Sequence, residues 1–239
     1  MSGHSKWATT KRAKAIVDAK RGAAFTKVAN LISIAARKGG DPSMNFELAQ
    51  AIERGRSVNM PKDNIERAIK RGTGEDGGAS IEELLYEGFG PAQSQFVIKV
   101  VTDSRNRAAA SIRHLFTKHG GSMGSVVWNF EQKGVLLIAE DLWKASKLEW
   151  DDFMLESIDA GVDDLKHETD GIVIFTKPEN LMKVKHWLET KKLDTESADI
   201  EYVAKEKLKL SEEDKTKVET FMDALEADED VSDYFNNIE

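Results

Sequence analysis

The chain has 239 residues, of which 40% are hydrophobic and 32% charged, values typical of a globular protein with its own core. It contains no Cys, so structural disulfides and thiolate metal sites are excluded. No stretch approaches the roughly 18 apolar residues of a membrane-spanning helix, and the first ten residues lack the apolar region of a secretory signal. We therefore expect a cytoplasmic protein.

The net charge of −8 conceals an uneven distribution along the chain. Residues 1–79 carry 15 Lys or Arg against 8 Asp or Glu, whereas residues 80–239 carry 19 against 34. Before Gly39, nine basic side chains face one acid, Asp18. A chain divided in this way can bind a polyanion with one end while the other end repels it. The alternative interpretation is a basic helix face that is merely solvated.

The N-terminal segment is predicted to be all-helical. Alanines interleave with Lys and Arg over residues 11–20, which predicts a helix with a weak apolar face. Three amphipathic helices are expected after it: one that ends at Gly39 and Gly40, one over residues 45–56, and one that begins at Pro61 and ends at Gly72. The positions expected to be buried in them are Phe25, Val28, Ala29, Ile32, Ala35 and Ala36, then Phe46, Leu48, Ala49 and Ile52, and finally Ile65, Ala68 and Ile69.

Residues 72–78, GTGEDGG, are interpreted as a linker that acts as a hinge. They also match the pattern G-x-G-x-x-G, but a dinucleotide-binding loop follows a strand and opens a helix. This segment follows a helix, and its Glu75 and Asp76 would repel a pyrophosphate.

Strand and helix patterns alternate beyond the linker. Residues 80–83 match a capping box and predict a short helical turn. Strands at 96–102 and 125–130 flank a predicted helix at 106–119. The elements predicted over residues 135–203 follow the order β-α-β-β-α-β, which is that of a ferredoxin-like unit. A final helix and strand over residues 211–235 nearly complete a second such unit.

The predicted fold class is therefore α+β. Three domains are expected: an all-helical N-terminal domain and two ferredoxin-like α/β domains, the third inserted into the second. The predicted boundaries are 1–78 for the helical domain, 79–131 with 207–239 for the split domain, and 132–206 for the inserted domain.

The N-terminal run SGHSKWATTKRAKAIVDAKRGAAFTK is the strongest candidate for a binding site. Cations neutralise phosphates and release counterions, and an indole can stack on an unpaired base, although Trp7 could equally anchor a core. A Ser-Gly-His start can approach a nucleic-acid backbone closely. The residues predicted to bind nucleic acid are Gly3, His4, Ser5, Lys6, Trp7, Lys11, Arg12, Lys14, Lys20, Arg21 and Lys27.

No catalytic constellation is predicted. The segment from Gly120 through Ser122 to Gly124, with His119 beside it, matches a nucleophile elbow. That motif requires a strand that leads into a helix, and here a helix leads into a strand. The five His residues lack metal-ligand spacing. We expect no enzyme, no metal, no cofactor and no small-molecule substrate, with a hydrolase as a distant alternative.

The opening GHSKWATTKRAKAIVDAKRGAAFTK, the segment NMPKDNIERAIKRG (59–72), the turn YEGFGP (86–91) and the triplet at 105–107 resemble the YebC/PmpR family over essentially the whole chain. The resemblance implies the same three-domain arrangement. Bacterial members are described as DNA-binding transcriptional regulators. Mitochondrial relatives are translational activators, and bacterial relatives have been linked to ribosomes stalled on proline-rich nascent chains. The implied partner is promoter DNA or, alternatively, ribosomal RNA on the ribosome.

The residues themselves leave both partners open. The helix pair at 45–56 and 61–71 is similar to a helix-turn-helix that could reach a major groove, although Asp63 and Glu66 share its second helix. A basic arm with a Trp suits irregular RNA. The side chains offered by the second helix are Lys62, Asn64, Arg67, Lys70 and Arg71. A second candidate surface contains Tyr86, Phe89, Arg105 and Arg107, which either function in binding or fix domain packing.

Overall fold

The computed structural model describes residues 21–75 and 81–239, with side chains from residue 25 onward. The described residues form two compact units. One contains residues up to 126 together with 208–238, and the other contains residues 127–207. The helix predicted over residues 11–20 lies outside the described residues. The three domain boundaries remain a prediction.

Three helices form the N-terminal part: α1 (Arg21–Ala36), α2 (Phe46–Ser57) and α3 (Lys62–Thr73). They agree with the helices predicted after residue 20. Asn45 caps α2 by accepting a hydrogen bond from the Leu48 N–H at 3.1 Å. Together the helices enclose a separate apolar core of Val28, Ile32, Ala35, Ala36, Leu48, Ala51, Ile52, Met60, Ile65 and Ala68.

Phe46 is the exception among the positions predicted to be buried in these helices. It is 42% exposed, whereas Ala51 in the same helix is buried. Phe46 is the first residue of α2 and lies about 200° around the helix from Leu48. The buried stripe of α2 therefore faces away from it, and the prediction for Phe46 was wrong.

Gly72 belongs to α3 rather than to the linker predicted over residues 72–78. The helix continues past it to Thr73, and the capping residue Gly74 adopts a left-handed conformation with φ 83°. A Cβ atom at Gly72 would clash with the carbonyl oxygen of Ser33 in α1 and lie 2.7 Å from the Cβ of Ala36. The absence of a side chain at Gly72 therefore allows α1 and α3 to cross closely.

We expect Gly72→Ala to lower the free energy of unfolding by about 1–2 kcal/mol. A clash with backbone puts the cost of overpacking in the upper part of its range, at about 2–3 kcal/mol, and Ala regains roughly 1 kcal/mol over Gly inside a helix. Urea unfolding followed by circular dichroism measures the change. Gly55→Ala in α2 is the matched control, because its Cβ would sit 3.4 Å from Ile32 Cδ1, an ordinary contact. Equal stability changes in the two variants would contradict the close crossing.

Eight strands and five further helices occupy the remaining described residues. The strands are β1 (Glu82–Phe89), β2 (Gln95–Thr102), β3 (Ser122–Met123), β4 (Phe130–Ala139), β5 (Val162–Glu168), β6 (Gly171–Thr176), β7 (Ser197–Ala204) and β8 (Val231–Asn236). The helices are α4 (Arg105–Lys118), α5 (Glu140–Ser146), α6 (Trp150–Ala160), α7 (Leu181–Thr190) and α8 (Glu212–Ala227). The α+β class is confirmed.

One antiparallel sheet has the strand order β3-β1-β2-β8. Ser211 begins α8, as its sequence predicts, by accepting a hydrogen bond from the Asp214 N–H at 3.2 Å. Alternate residues of β2 face α4 and α8, because successive strand side chains point to opposite faces. The core between sheet and helices contains Phe96, Ile98, Val100, Ala108, Ile112, Phe116, Val218, Phe221, Met222, Leu225, Val231, Tyr234 and Ile238.

Two sequence predictions in this sheet were wrong. Glu82 and Glu83, expected in a helical turn, begin β1, which pairs with β2 along its whole length from Glu82↔Thr102 to Phe89↔Gln95. The eight residue pairs between β1 and β2 stabilise the strand more than the capping box stabilises a helical turn. The capping box is a local pattern and contains no information about pairing with β2. Residues 125–130 do not form the predicted strand, because residues 127–129 form a 3₁₀ turn before β4 begins at Phe130.

Helix α1 lies against this sheet. Asn30 Nδ2 donates to the Val101 carbonyl of β2 at 3.4 Å. Arg37 donates to the Ile81 carbonyl at 2.8 Å, just before β1. These hydrogen bonds satisfy backbone carbonyls of the sheet with side chains of the helical segment. The N-terminal helices and the first sheet therefore pack as one unit.

The unit of residues 127–207 contains the second antiparallel sheet, in the order β5-β6-β4-β7. Its element order, β4, helices, β5, β6, α7, β7, confirms the predicted β-α-β-β-α-β arrangement. The short helix α5 was not predicted from the sequence. The core contains Leu136, Ile138, Trp143, Phe153, Ile172, Ile174, Leu181, Val184, Leu188, Leu193 and Ala198.

Candidate nucleic-acid interface

The predicted N-terminal binding residues fall mostly outside the described part of the chain. Arg21 is the first residue of α1, and its side chain is not described. Those outside the described residues are Gly3, His4, Ser5, Lys6, Trp7, Lys11, Arg12, Lys14 and Lys20. Their role in binding therefore remains a prediction.

Lys27 has a structural contact in addition to its predicted role. Its ammonium group donates to the carbonyl of Glu226 at 2.7 Å. That carbonyl lies in the last turn of α8, where backbone carbonyls lack partners within the helix and the helix dipole favours a cation. Lys27 thus helps hold α1 against the end of α8, a contact that the sequence pattern did not predict.

Helices α2 and α3 are joined by a tight turn. Asn59 in the turn has a positive φ of 58°, and Met60 after it is buried. Asn tolerates the left-handed region better than other side chains that carry a Cβ. On the inner side of α3, Ile65 and Ala68 pack into the helical core. The opposite side of α3 is therefore exposed.

The exposed side of α3 presents basic side chains to solvent. Arg67 and Lys70 are exposed, and neither makes an ion pair with another described residue. Lys62 lies 3.6 Å from Glu66, but both side chains are largely exposed, so this pair contributes little. These three cations are available to phosphate groups, although Asp63 in the first turn adds an acid to the same helix.

Arg71 does not belong to this face, contrary to the sequence prediction. Its Nε donates to Ser33 Oγ at 3.1 Å, and one terminal nitrogen donates to Asn30 Oδ1 at 2.8 Å. Both acceptors lie on α1. Arg71 therefore joins α3 to α1, and Asn64 on the same helix is partly buried.

Two exposed apolar side chains at the start of α2 were not predicted from the sequence. Met44, just before α2, is 87% exposed, and Phe46 is also exposed. An exposed aromatic ring near cations can stack on a nucleic-acid base. The position of Phe46 opposite Leu48 on the helical wheel was the signal that could have identified it.

The second candidate surface is divided between two sites. Tyr86 and Arg105 lie together, with the Tyr86 hydroxyl donating to the Arg105 carbonyl at 3.4 Å. Burial raises the pKa of Tyr86. Phe89 lies at the far end of β1, where its ring is 3.3 Å from the position of a Cβ on Gly124. Tyr86 and Phe89 are three residues apart on one strand and point to opposite faces.

The two arginines of this surface differ in their environment. Arg105 pairs with Glu82 at 2.6 Å, and both side chains are well exposed. Arg107 donates through Nε and a terminal nitrogen to both carboxylate oxygens of Asp230, at 3.2 and 2.9 Å. These hydrogen bonds raise the pKa of Arg107. Because Asp230 is only 11% exposed, Arg107 is placed to fix packing between α4 and the start of β8.

His119 and Ser122, which belong to the segment that matches a nucleophile elbow, make structural contacts. Ser122 lies in the edge strand β3, paired with Phe89. The ring of His119 packs 5.6 Å from the Phe221 ring, and its Nε2 is buried with no hydrogen-bond partner among the described residues. Burial lowers the pKa of His119. His119 and Ser122 therefore do not form a nucleophile–base pair here.

The division of charge continues within the described part of the chain. Residues 21–75 carry ten basic and six acidic side chains, whereas residues 81–239 carry 19 basic and 34 acidic ones. Across the described ranges, no helix is both long and apolar enough to span a membrane. In the same ranges no cluster of three His, Asp or Glu is arranged to hold a metal ion. The fold and charges define an α+β protein with a basic helical segment and an acidic body.

Comparison with known proteins gives the family. Residues 5–75 match the TACO1/YebC N-terminal domain, and residues 81–238 match the TACO1/YebC second and third domain. The chain belongs to the TACO1/YebC family, which confirms the resemblance identified from the sequence.

Curated relatives match over the full length of the chain. A "Probable transcriptional regulatory protein" of Pelotomaculum thermopropionicum is 44% identical over 100% of this chain and 99% of its own length. One of the same name from Thermotoga maritima is 46% identical over 100% of this chain and 94% of its own. The crystal structure of a conserved hypothetical protein from Aquifex aeolicus is 36% identical, with a TM-score of 0.79 over 93% of this chain and 92% of that one.

Proposed function

We propose that this protein is a cytoplasmic, non-enzymatic regulator of gene expression that binds nucleic acid through its N-terminal segment. The observation that carries the proposal is the division of charge, with exposed cations on α3 and further cations over residues 1–20, against an acidic remainder. Phosphate contacts supply most of the non-specific affinity for nucleic acid, and their cations must reach solvent. Arg67 and Lys70 meet that requirement.

DNA is the partner that the relatives favour, since they are named transcriptional regulatory proteins. The α2–α3 pair could present Lys62, Arg67 and Lys70 to a major groove or its flanking phosphates. Arg67 and Lys70 would then position the protein, because contacts to phosphate carry no sequence information. We also propose three domains with the boundaries predicted from the sequence.

Two binding measurements on the full-length chain test the proposal. One measures affinity for a fluorescent promoter duplex over a salt series, and the other measures co-sedimentation with ribosomes at near-physiological salt. We expect salt-dependent duplex binding with a slope of several log units, about 0.9 for each phosphate neutralised. Binding to ribosomes without binding to the duplex would identify ribosomal RNA, rather than DNA, as the partner. The absence of binding in both assays would refute the proposed function.

A further inference from the structure

Helix α6 exposes an apolar stripe on the unit of residues 127–207. Leu155 and Ile158 are 67% and 64% exposed, and Met154 beside them is 40% exposed. Phe153 and Ser157 face the core, so the three apolar side chains project from the other side of the helix. Residues three or four positions apart are neighbours on a helix, so the three form one contiguous stripe.

Carboxylates of α6 flank this stripe, and Lys183 of α7 adds one cation at its end by donating to the Asp159 carbonyl at 3.2 Å. Asp151, Asp152 and Asp159 are exposed and lie within one turn of Leu155. The sequence of α6, WDDFMLESIDA, contains four acids and no base. The fourth acid, Glu156, pairs with Lys191, the residue that follows α7. Asp159 in the last turn opposes the helix dipole, so helix stability does not explain the acid there.

The charge around the stripe selects the kind of partner. A polyanionic nucleic acid or an anionic membrane would be repelled by the carboxylates. A second copy of this chain, docked through the same stripe, would bring two acidic rims together, and like-charge juxtaposition across an interface is costly. A segment with apolar side chains flanked by Lys or Arg would pack on the apolar stripe and form ion pairs with the carboxylates beside it.

We propose that the exposed face of α6 docks a cationic amphipathic helix of another protein. The partner's apolar residues, spaced three and four apart, pack on Leu155 and Ile158, and its Lys or Arg side chains pair with Asp151, Asp152 and Asp159. The site is distinct from the N-terminal segment that carries the proposed function, since it attracts the opposite charge. One protein can thereby engage a polyanion and a basic protein at once.

A peptide titration tests this docking surface. The probe is an 18-residue fluorescent amphipathic helix of Leu and Lys, titrated with the full-length protein. We expect Leu155→Ser with Ile158→Ser to weaken binding about tenfold or more, because partial burial of two large apolar side chains contributes at least that much. Both positions are largely exposed, so the variant should fold.

Matched variants separate the stripe from the general acidity of the protein. Met182→Ser with Ile200→Ser removes two apolar side chains exposed at 42% and 43% elsewhere in the same unit, and should leave binding within about twofold of the wild type. Equal binding by both double variants would overturn the proposal. So would a concentration-dependent dimer that is lost in the Leu155→Ser, Ile158→Ser variant. Binding of nucleic acid by that variant should be unchanged.

Discussion

Replacing Lys6, Lys11, Lys14 and Lys20 together with alanine is expected to remove binding of nucleic acid at near-physiological salt. Each phosphate that is no longer neutralised should lower the salt slope by roughly 0.7 to 0.9 log units, so four phosphates account for about 3. Near 0.1 M salt that slope corresponds to about a thousandfold in affinity. Fluorescence anisotropy over a salt series measures affinity and slope in one experiment.

The control for this variant removes the same charge from the acidic part of the chain. Lys118, Lys177, Lys207 and Lys209 are all exposed and lie outside the N-terminal segment. Their replacement by alanine makes the whole protein equally more negative but should leave the salt slope unchanged. An unchanged affinity and slope in the N-terminal variant would show that the basic segment is not the binding surface.

Removing the Arg107 side chain is expected to lower the free energy of unfolding by about 2–3 kcal/mol. Loss of one partner from a fully buried ion pair costs about 3–5 kcal/mol, and partial exposure of Arg107, at 58%, reduces this cost. Arg107→Ala would leave the Asp230 carboxylate, which is 11% exposed, without its bidentate hydrogen-bond donor. Chemical unfolding monitored by circular dichroism provides the measurement.

Arg105→Ala is the matched comparison for Arg107. Arg105 and its partner Glu82 are both exposed, so we expect a much smaller loss of stability than for Arg107→Ala. Two different roles for this surface can then be told apart. If Arg107→Ala destabilises the protein and neither variant changes affinity for nucleic acid, the surface fixes packing. A fall in affinity in both variants, without loss of stability, would instead make it part of the binding site.

Local sequence patterns correctly identified most of the helices and the β-α-β-β-α-β order of the second sheet. The stripe in α1, the Ser211 cap of α8 and the continuous apolar run of β6 each contain enough local information to specify an element, because such local patterns follow directly from helix and strand geometry. The basic N-terminal segment was evident for the same reason, since charge composition does not depend on the fold. These features follow from the sequence by itself.

The roles of residues that contact distant parts of the sequence could be determined only from the tertiary structure. Glu82 joins a strand because β2 pairs with it, and Arg71 turns inward because Ser33 and Asn30 on α1 accept its hydrogen bonds. Gly72 lies in a helix crossing because α1 comes so close that a side chain would clash. Local propensity contributes less free energy than such contacts between residues that are distant in sequence. A pattern over a few residues does not contain the distant partner, so it cannot predict these contacts.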